Sequence, residues 1–154
     1  MRHLIAQEDR LDDFLLSSAG IGAPQIGQSP DPRALTAAAA QGIKLGGIRS
    51  RRLERSDFST FDLLLAMDRA DRDALLALTP PAARQRVHLL LDFSSWIGER
   101  DIPDPSDGTA DAFENTLDLI QLAVRGLLEV IDQVDGEWAV PEAARARLKV
   151  SSAM

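Results

Sequence analysis

The chain has 154 residues, 45% of them hydrophobic and 27% charged, which suits one globular domain with a single core. A formal net charge of -7 argues against non-specific binding to nucleic acid or anionic membrane; no apolar run could span a bilayer and the start lacks a signal peptide's apolar stretch, so a cytoplasmic location is expected. The absence of cysteine excludes disulfides, thiolate metal sites and a cysteine nucleophile within these residues.

Met1, Leu4, Ile5 and Leu11 recur at roughly helical spacing, and nothing before them could cap a helix, so the chain is expected to begin inside one. DFLLSSAG, a short apolar run ending in small residues, reads as a buried strand, followed by the loop GIGAPQIGQSP. Its glycines do not match a nucleotide-binding fingerprint, because no Lys-Ser/Thr follows. DPRALTAAAAQG is punctuated as a helix, with Asp31 as N-cap, Pro32 as first residue and Gly42 as the stop.

The basic stretch with Arg49, Arg51, Arg52 and Arg55 reads as a solvated loop, given its mixed neighbours and Glu54. SDFSTF is one helical turn capped by Ser56, and DLLLAM is a strand apolar on both faces. Asp68 caps a helix over RADRDALLAL, Pro80 and Pro81 open a shorter one through Arg84, and RVHLLLDF is a third strand. A long amphipathic helix is expected over 109–134, with Phe113, Leu117, Ile120, Val124, Leu127 and Ile131 on one stripe. A weak helical piece, PEAARARL, precedes a polar end. No internal repeat is evident along the chain. Strands alternating with helices predict an α/β fold with a parallel sheet flanked by helices, and ligands in such sheets bind beyond the carboxyl ends of the strands.

Between the third strand and the long helix lies DIPDPSDG, with Asp101, Asp104 and Asp107 at every third position. That spacing would group the carboxylates on a helix, but Pro103 and Pro105 forbid one, so the loop is acidic, stiff and extended. By itself Asp104 is a loop aspartate that orients a turn; Asp101 and Asp107 read as solvated. His3 and His88 lack metal-ligand company and read as surface or structural residues, and no metal or cofactor is expected.

Taken in order, SSAG, SPDPRA, QGI, RSRRL, SDFSTFDLLLAMD, VHLLLDF, DIPDPSDG and a long last helix resemble the low-molecular-weight protein-tyrosine phosphatase family. The likeness covers about 1–134 and is strongest over 57–73 and 101–108. It implies phosphomonoester hydrolysis through a phosphocysteine, with Asp104 as the general acid that protonates the leaving oxygen. It also implies a first strand and a Cys-x-x-x-x-x-Arg-Ser phosphate loop ahead of the first helix, which this sequence does not contain. Ser18 matches a family serine that supports that loop. Ser106 and Asp107 stand where the family usually places aromatic cleft walls, and the position near Pro24 is likewise not aromatic, so a preference for something other than phosphotyrosine is implied.

The expected organisation is a phosphatase-like domain over 1–135, incomplete at its start, and an extension over 136–154. The first, central strand of the sheet is expected to be missing. Its neighbours would then have unpaired edges and the chain would be marginally stable, unless LKVSS near the C-terminus fills the gap. Two functions compete. One is a family phosphatase, inactive as written for want of its nucleophile. The other is a non-catalytic pseudophosphatase that binds or regulates. For a complete form the expected partners are a phosphorylated protein or small phosphomonoester; neither nucleic acid nor membrane is expected.

Overall fold

The computed structural model describes residues 1–22, 26–94, 100–133 and 148–153. Its centre is a parallel four-stranded sheet formed by β1 (Phe14–Ala19), β2 (Leu63–Ala66), β3 (Val87–Leu89) and β4 (Leu148–Ala153), in the spatial order β1-β4-β2-β3. The helices are α1 (Arg2–Gln7), α2 (Pro32–Ala40), α3 (Asp57–Thr60), α4 (Arg69–Leu78) and α5 (Ala110–Gln133), with tight 3-10 turns at Leu11–Asp13, Pro81–Arg86 and Leu90–Phe93.

Alternation along the strands sorts the core into two layers. Leu63, Leu65, Phe14 and Val150 pack with Leu4 and Ile5 of α1 and Ala123, Val124 and Leu127 of α5. Leu64 faces the other way, onto Phe58 of α3, Leu75 of α4 and Ala83. All four residues of β2 are buried, as its unbroken apolar run predicts. The stripe of α5 buries Phe113, Val124 and Leu127 and packs Ile120 and Ile131 partly against the core.

The punctuation of α2 is as expected. Asp31 accepts from the backbone N–H of Arg33 at 2.7 Å, and Gly42 takes φ +73° at the stop. The Ile43 and Gly42 N–H groups return to the carbonyls of Ala38 and Ala39 at 2.8 and 3.0 Å, which satisfies orphan carbonyls at the helix end. Asp68 caps α4, accepting from the Asp71 N–H at 2.6 Å. Ser56 precedes α3 without a side-chain capping bond.

The centre of the sheet corrects one expectation. The gap between β1 and β2 is not open: β4 fills it, paired in parallel with both neighbours. The lesser alternative, in which LKVSS occupies the gap, is the arrangement found. Its register with β1 aligns Ser17 with Ser151, Ser18 with Ser152 and Ala19 with Ala153, so β4 repeats the Ser-Ser-Ala of its neighbour at the same level. Of PEAARARL, expected as helical, only Leu148 is described, and it lies in β4; the last residue of the 109–134 helix and the position of Pro24 lie outside the described residues.

Candidate active site at the carboxyl edge of the sheet

β1 and β2 run parallel, so the segments that follow them emerge at one edge. After β1 the chain makes an isolated parallel bridge from Gly20 to Arg52, with the Gly20 N–H on the Arg51 carbonyl at 2.8 Å and the Leu53 N–H on the Gly20 carbonyl at 3.0 Å. This pairing turns Arg51 inward, and the expectation of a solvated loop is wrong for it. Arg51 donates through Nε and Nη2 to Ser17 Oγ at 3.0 and 2.8 Å. Through Nη1 and Nη2 it also grips Asp57 Oδ2 and Oδ1 at 2.8 and 3.1 Å. The Asp57 side chain is only 8% exposed, and its Oδ2 also accepts from the Glu54 N–H at 2.8 Å. A buried carboxylate needs this many donors to be tolerated.

The acidic loop reaches the same edge and is pinned at several points. Ile102 is buried and its N–H donates to the Met67 carbonyl just past β2, at 2.9 Å. Asp101 is not free in solvent. Its carboxylate accepts from the Arg69 backbone N–H, Nε and Nη2 at 2.7 to 3.1 Å, and that guanidinium holds its pKa below the usual carboxylate range. Thr116 of α5 donates its hydroxyl to the Pro103 carbonyl at 3.2 Å.

Arg33 of α2 closes the far side, donating to the carbonyls of Ser106 and Gly108 at 2.9 and 3.0 Å with its guanidinium 4.6 Å from the Phe113 ring centroid. No sequence signal marks this residue, because its partners are backbone carbonyls that a motif cannot display. Between these anchors stands Asp104, exposed, with Oδ1 accepting from the Ser106 N–H at 2.9 Å, the Asx turn that an aspartate before proline favours.

Asp68 and Asp71 of the α4 N-terminus lie close to this loop. Desolvation raises the pKa of Asp71, and the charges of Asp68 and Asp104 raise it further. The Asp71 carboxyl therefore senses both neighbours. Of the other expected site residues, Ser18 is partly buried near the end of β1, in register with Ser152. Ser106 and Asp107 are exposed on the acidic loop, with Ser106 engaged only through its backbone in the bonds just given and Asp107 near Arg33. His3 bonds Gln7 within α1 at 3.2 Å, and His88 meets Phe93 edge-on at 5.7 Å, so both are structural. Among the described residues no three metal-ligating side chains cluster, and no helix is long and apolar enough to cross a membrane.

Chemically, the corner offers an exposed, oriented carboxyl that can donate or accept a proton at a fixed place. The sequence contains no cysteine to act beside it.

Comparison with known proteins follows the same lines. The profile of the low molecular weight phosphotyrosine protein phosphatases matches residues 1–137. A low molecular weight protein-tyrosine-phosphatase of Streptomyces coelicolor is 36% identical over 126 residues, 79% of this chain and 76% of that one. Wzb, a low molecular weight protein-tyrosine-phosphatase of Salmonella typhi, is 31% identical over 122 residues, covering 79% and 78%. Among solved structures, a protein tyrosine phosphatase from Entamoeba histolytica superposes with a TM-score of 0.81 at 26% identity, over 86% of this chain and 84% of that one.

Proposed function

The chain belongs to the low molecular weight phosphotyrosine protein phosphatase family, and from that premise we propose that it carries the proton-donating half of a phosphomonoesterase site and does not turn over phosphomonoesters by itself. The observation that carries this reading is the pinned acidic loop. Asp104 stands exposed on a segment tied to β2, α2, α4 and α5. A general acid must be held within hydrogen-bond reach of the leaving oxygen, and these ties supply a fixed position. Ser18, Ser106 and Asp107 are the residues assigned to the substrate side. The substrate class is a phosphorylated protein or small phosphomonoester, met in the cytoplasm. The family's nucleophile is a cysteine thiolate, and no residue of this chain supplies one.

A second reading, a pseudophosphatase that binds or regulates without turnover, is favoured by β4. With the sheet closed at its centre by Leu148–Ala153, the chain has a route to a folded state through its own C-terminal residues.

Hydrolysis of p-nitrophenyl phosphate by the purified chain tests the proposal. No vanadate-sensitive turnover is expected. Vanadate-sensitive release of p-nitrophenol, lost on Asp104→Asn, would show that another nucleophile acts at this edge.

A further inference from the structure

The centre of the sheet holds a strand that matches its surroundings only in part. β4 is paired on both sides, so its backbone is well satisfied. Val150, 3% exposed, is packed among Phe14, Leu63 and Leu65. Ser151 faces the opposite layer in register with Leu64 and Ser17. It is 1% exposed and its hydroxyl has no hydrogen-bond partner. A buried donor without an acceptor disfavours the arrangement relative to an apolar group of similar size.

We propose that the gap between β1 and β2 is a strand-acceptor site and that β4 is its exchangeable occupant. The partner is an extended segment of another polypeptide, apolar at the positions of Val150 and Ser151, entering parallel and in the same register. Backbone pairing on both sides supplies affinity, and alternate side chains in the two layers supply selectivity, as in other recognition by strand addition. The register aligns Ala66 with Ala153, one residue before Met67, whose carbonyl receives the acidic loop. Residues that follow an inserted strand therefore stand beside Asp68, Asp71 and Asp104. Exchange decides which groups the site contains. That consequence rests on the function proposed above; the exchange does not, and its test reads exchange alone.

Three fluorescein-labelled peptides test the site: RLKVSSA, which copies β4, RLKVASA, with alanine at the position of Ser151, and RLKPASA, with proline at that of Val150. They are titrated into the full chain and into its Val150→Asp variant, whose own strand is disfavoured by a buried charge, with fluorescence anisotropy as the readout. RLKVASA is expected to bind the variant saturably and about fivefold more tightly than RLKVSSA, the factor for relieving one unsatisfied hydroxyl. RLKPASA, which lacks an N–H and clashes in a central strand, is expected not to bind.

If the variant is unfolded alone, recovery of its far-ultraviolet circular dichroism by RLKVASA supports the site, and no recovery at millimolar peptide overturns it. In the unaltered chain, incorporation should proceed at a rate independent of peptide concentration, set by departure of β4; no incorporation over days would overturn exchangeability. Equal binding of RLKPASA would reduce the effect to unspecific adhesion. A dimer that swaps β4 between copies and shuts out peptide would assign the slot to this chain itself and overturn the proposal of a separate partner.

Discussion

Two adjacent residues of β4 should respond to the same substitution with opposite signs. Val150 is 3% exposed and belongs to the main core. Val150→Ala removes two buried methyl groups at roughly 0.8 to 1.5 kcal/mol each, so a loss of about 2 to 3 kcal/mol is expected. Ser151 is 1% exposed with an unpaired hydroxyl. Ser151→Ala removes that hydroxyl and keeps the Cβ, so a gain of about 1 kcal/mol is expected. For a domain of this size each kcal/mol moves the midpoint by about 2 to 4 °C. Urea unfolding followed by circular dichroism measures both, with m unchanged if only the native state is affected. If 148–153 were instead a solvated tail, both substitutions would lie within about 0.5 kcal/mol of the parent. That result would remove β4 from the sheet and the strand-acceptor proposal with it.

Three further outcomes follow from single contacts. At Gly126 of α5 a Cβ would run into the Phe93 carbonyl oxygen and lie 3.0 Å from its carbon; Gly126→Ala should destabilise by about 1 to 3 kcal/mol despite the better helix propensity of alanine, and a neutral result in urea would mean that α5 stands off from Leu90–Phe93. Asp57→Ala should lose about 3 kcal/mol and Arg51→Met a similar amount, each stranding a partner, while the double substitution costs less than their sum; additivity would show that the pair is not coupled. Asp71 has a raised pKa, from desolvation and then the charges of Asp68 and Asp104. The folded state therefore binds the extra proton, and its contribution to stability is lost as pH rises from the unfolded pKa through the folded one. Asp71→Asn should flatten the urea midpoint between pH 4 and neutrality, and an unchanged profile would refute the carboxylate crowding.

What the sequence displayed was whatever local chemistry writes. The Leu63–Ala66 run, the Asp31, Pro32 and Gly42 punctuation of α2, the Asp68 cap and the stripe of α5 all occupy the places that propensity and periodicity assign. The order of segments carried the family, and with it the attention to Asp104. Tertiary partners were not displayed. Arg51 sits in a basic, loop-like stretch and finds its carboxylate only because Gly20 and Arg52 pair. Asp101 reads as solvated until α4 brings Arg69 to it. β4 was hardest to place, because Lys149, Ser151 and Ser152 interrupt the apolar pattern of a buried strand, and its neighbours β1 and β2 lie far away in the chain.

The corner around Asp104 bears on what the proposed general acid would need beside it. Desolvation and then the charges of Asp68 and Asp104 raise the pKa of the Asp71 carboxyl there. Arg33 is committed to Asp31 and two carbonyls, Arg51 to Asp57 and Ser17, and Arg69 to Asp101. These arginines stabilise the edge, and each already has an anionic or carbonyl partner. General acid catalysis contributes roughly 10²- to 10⁴-fold. Phosphoryl transfer depends more on donors and cations aimed at the equatorial oxygens. A phosphate dianion brought to this corner meets carboxylates first, so the missing complement is positive charge and N–H donors as well as a nucleophile. The strand between β1 and β2 ends level with Ala66, one residue before the Met67 carbonyl that holds the acidic loop. The occupant of that slot thus governs both the stability of the sheet and the electrostatics of the site.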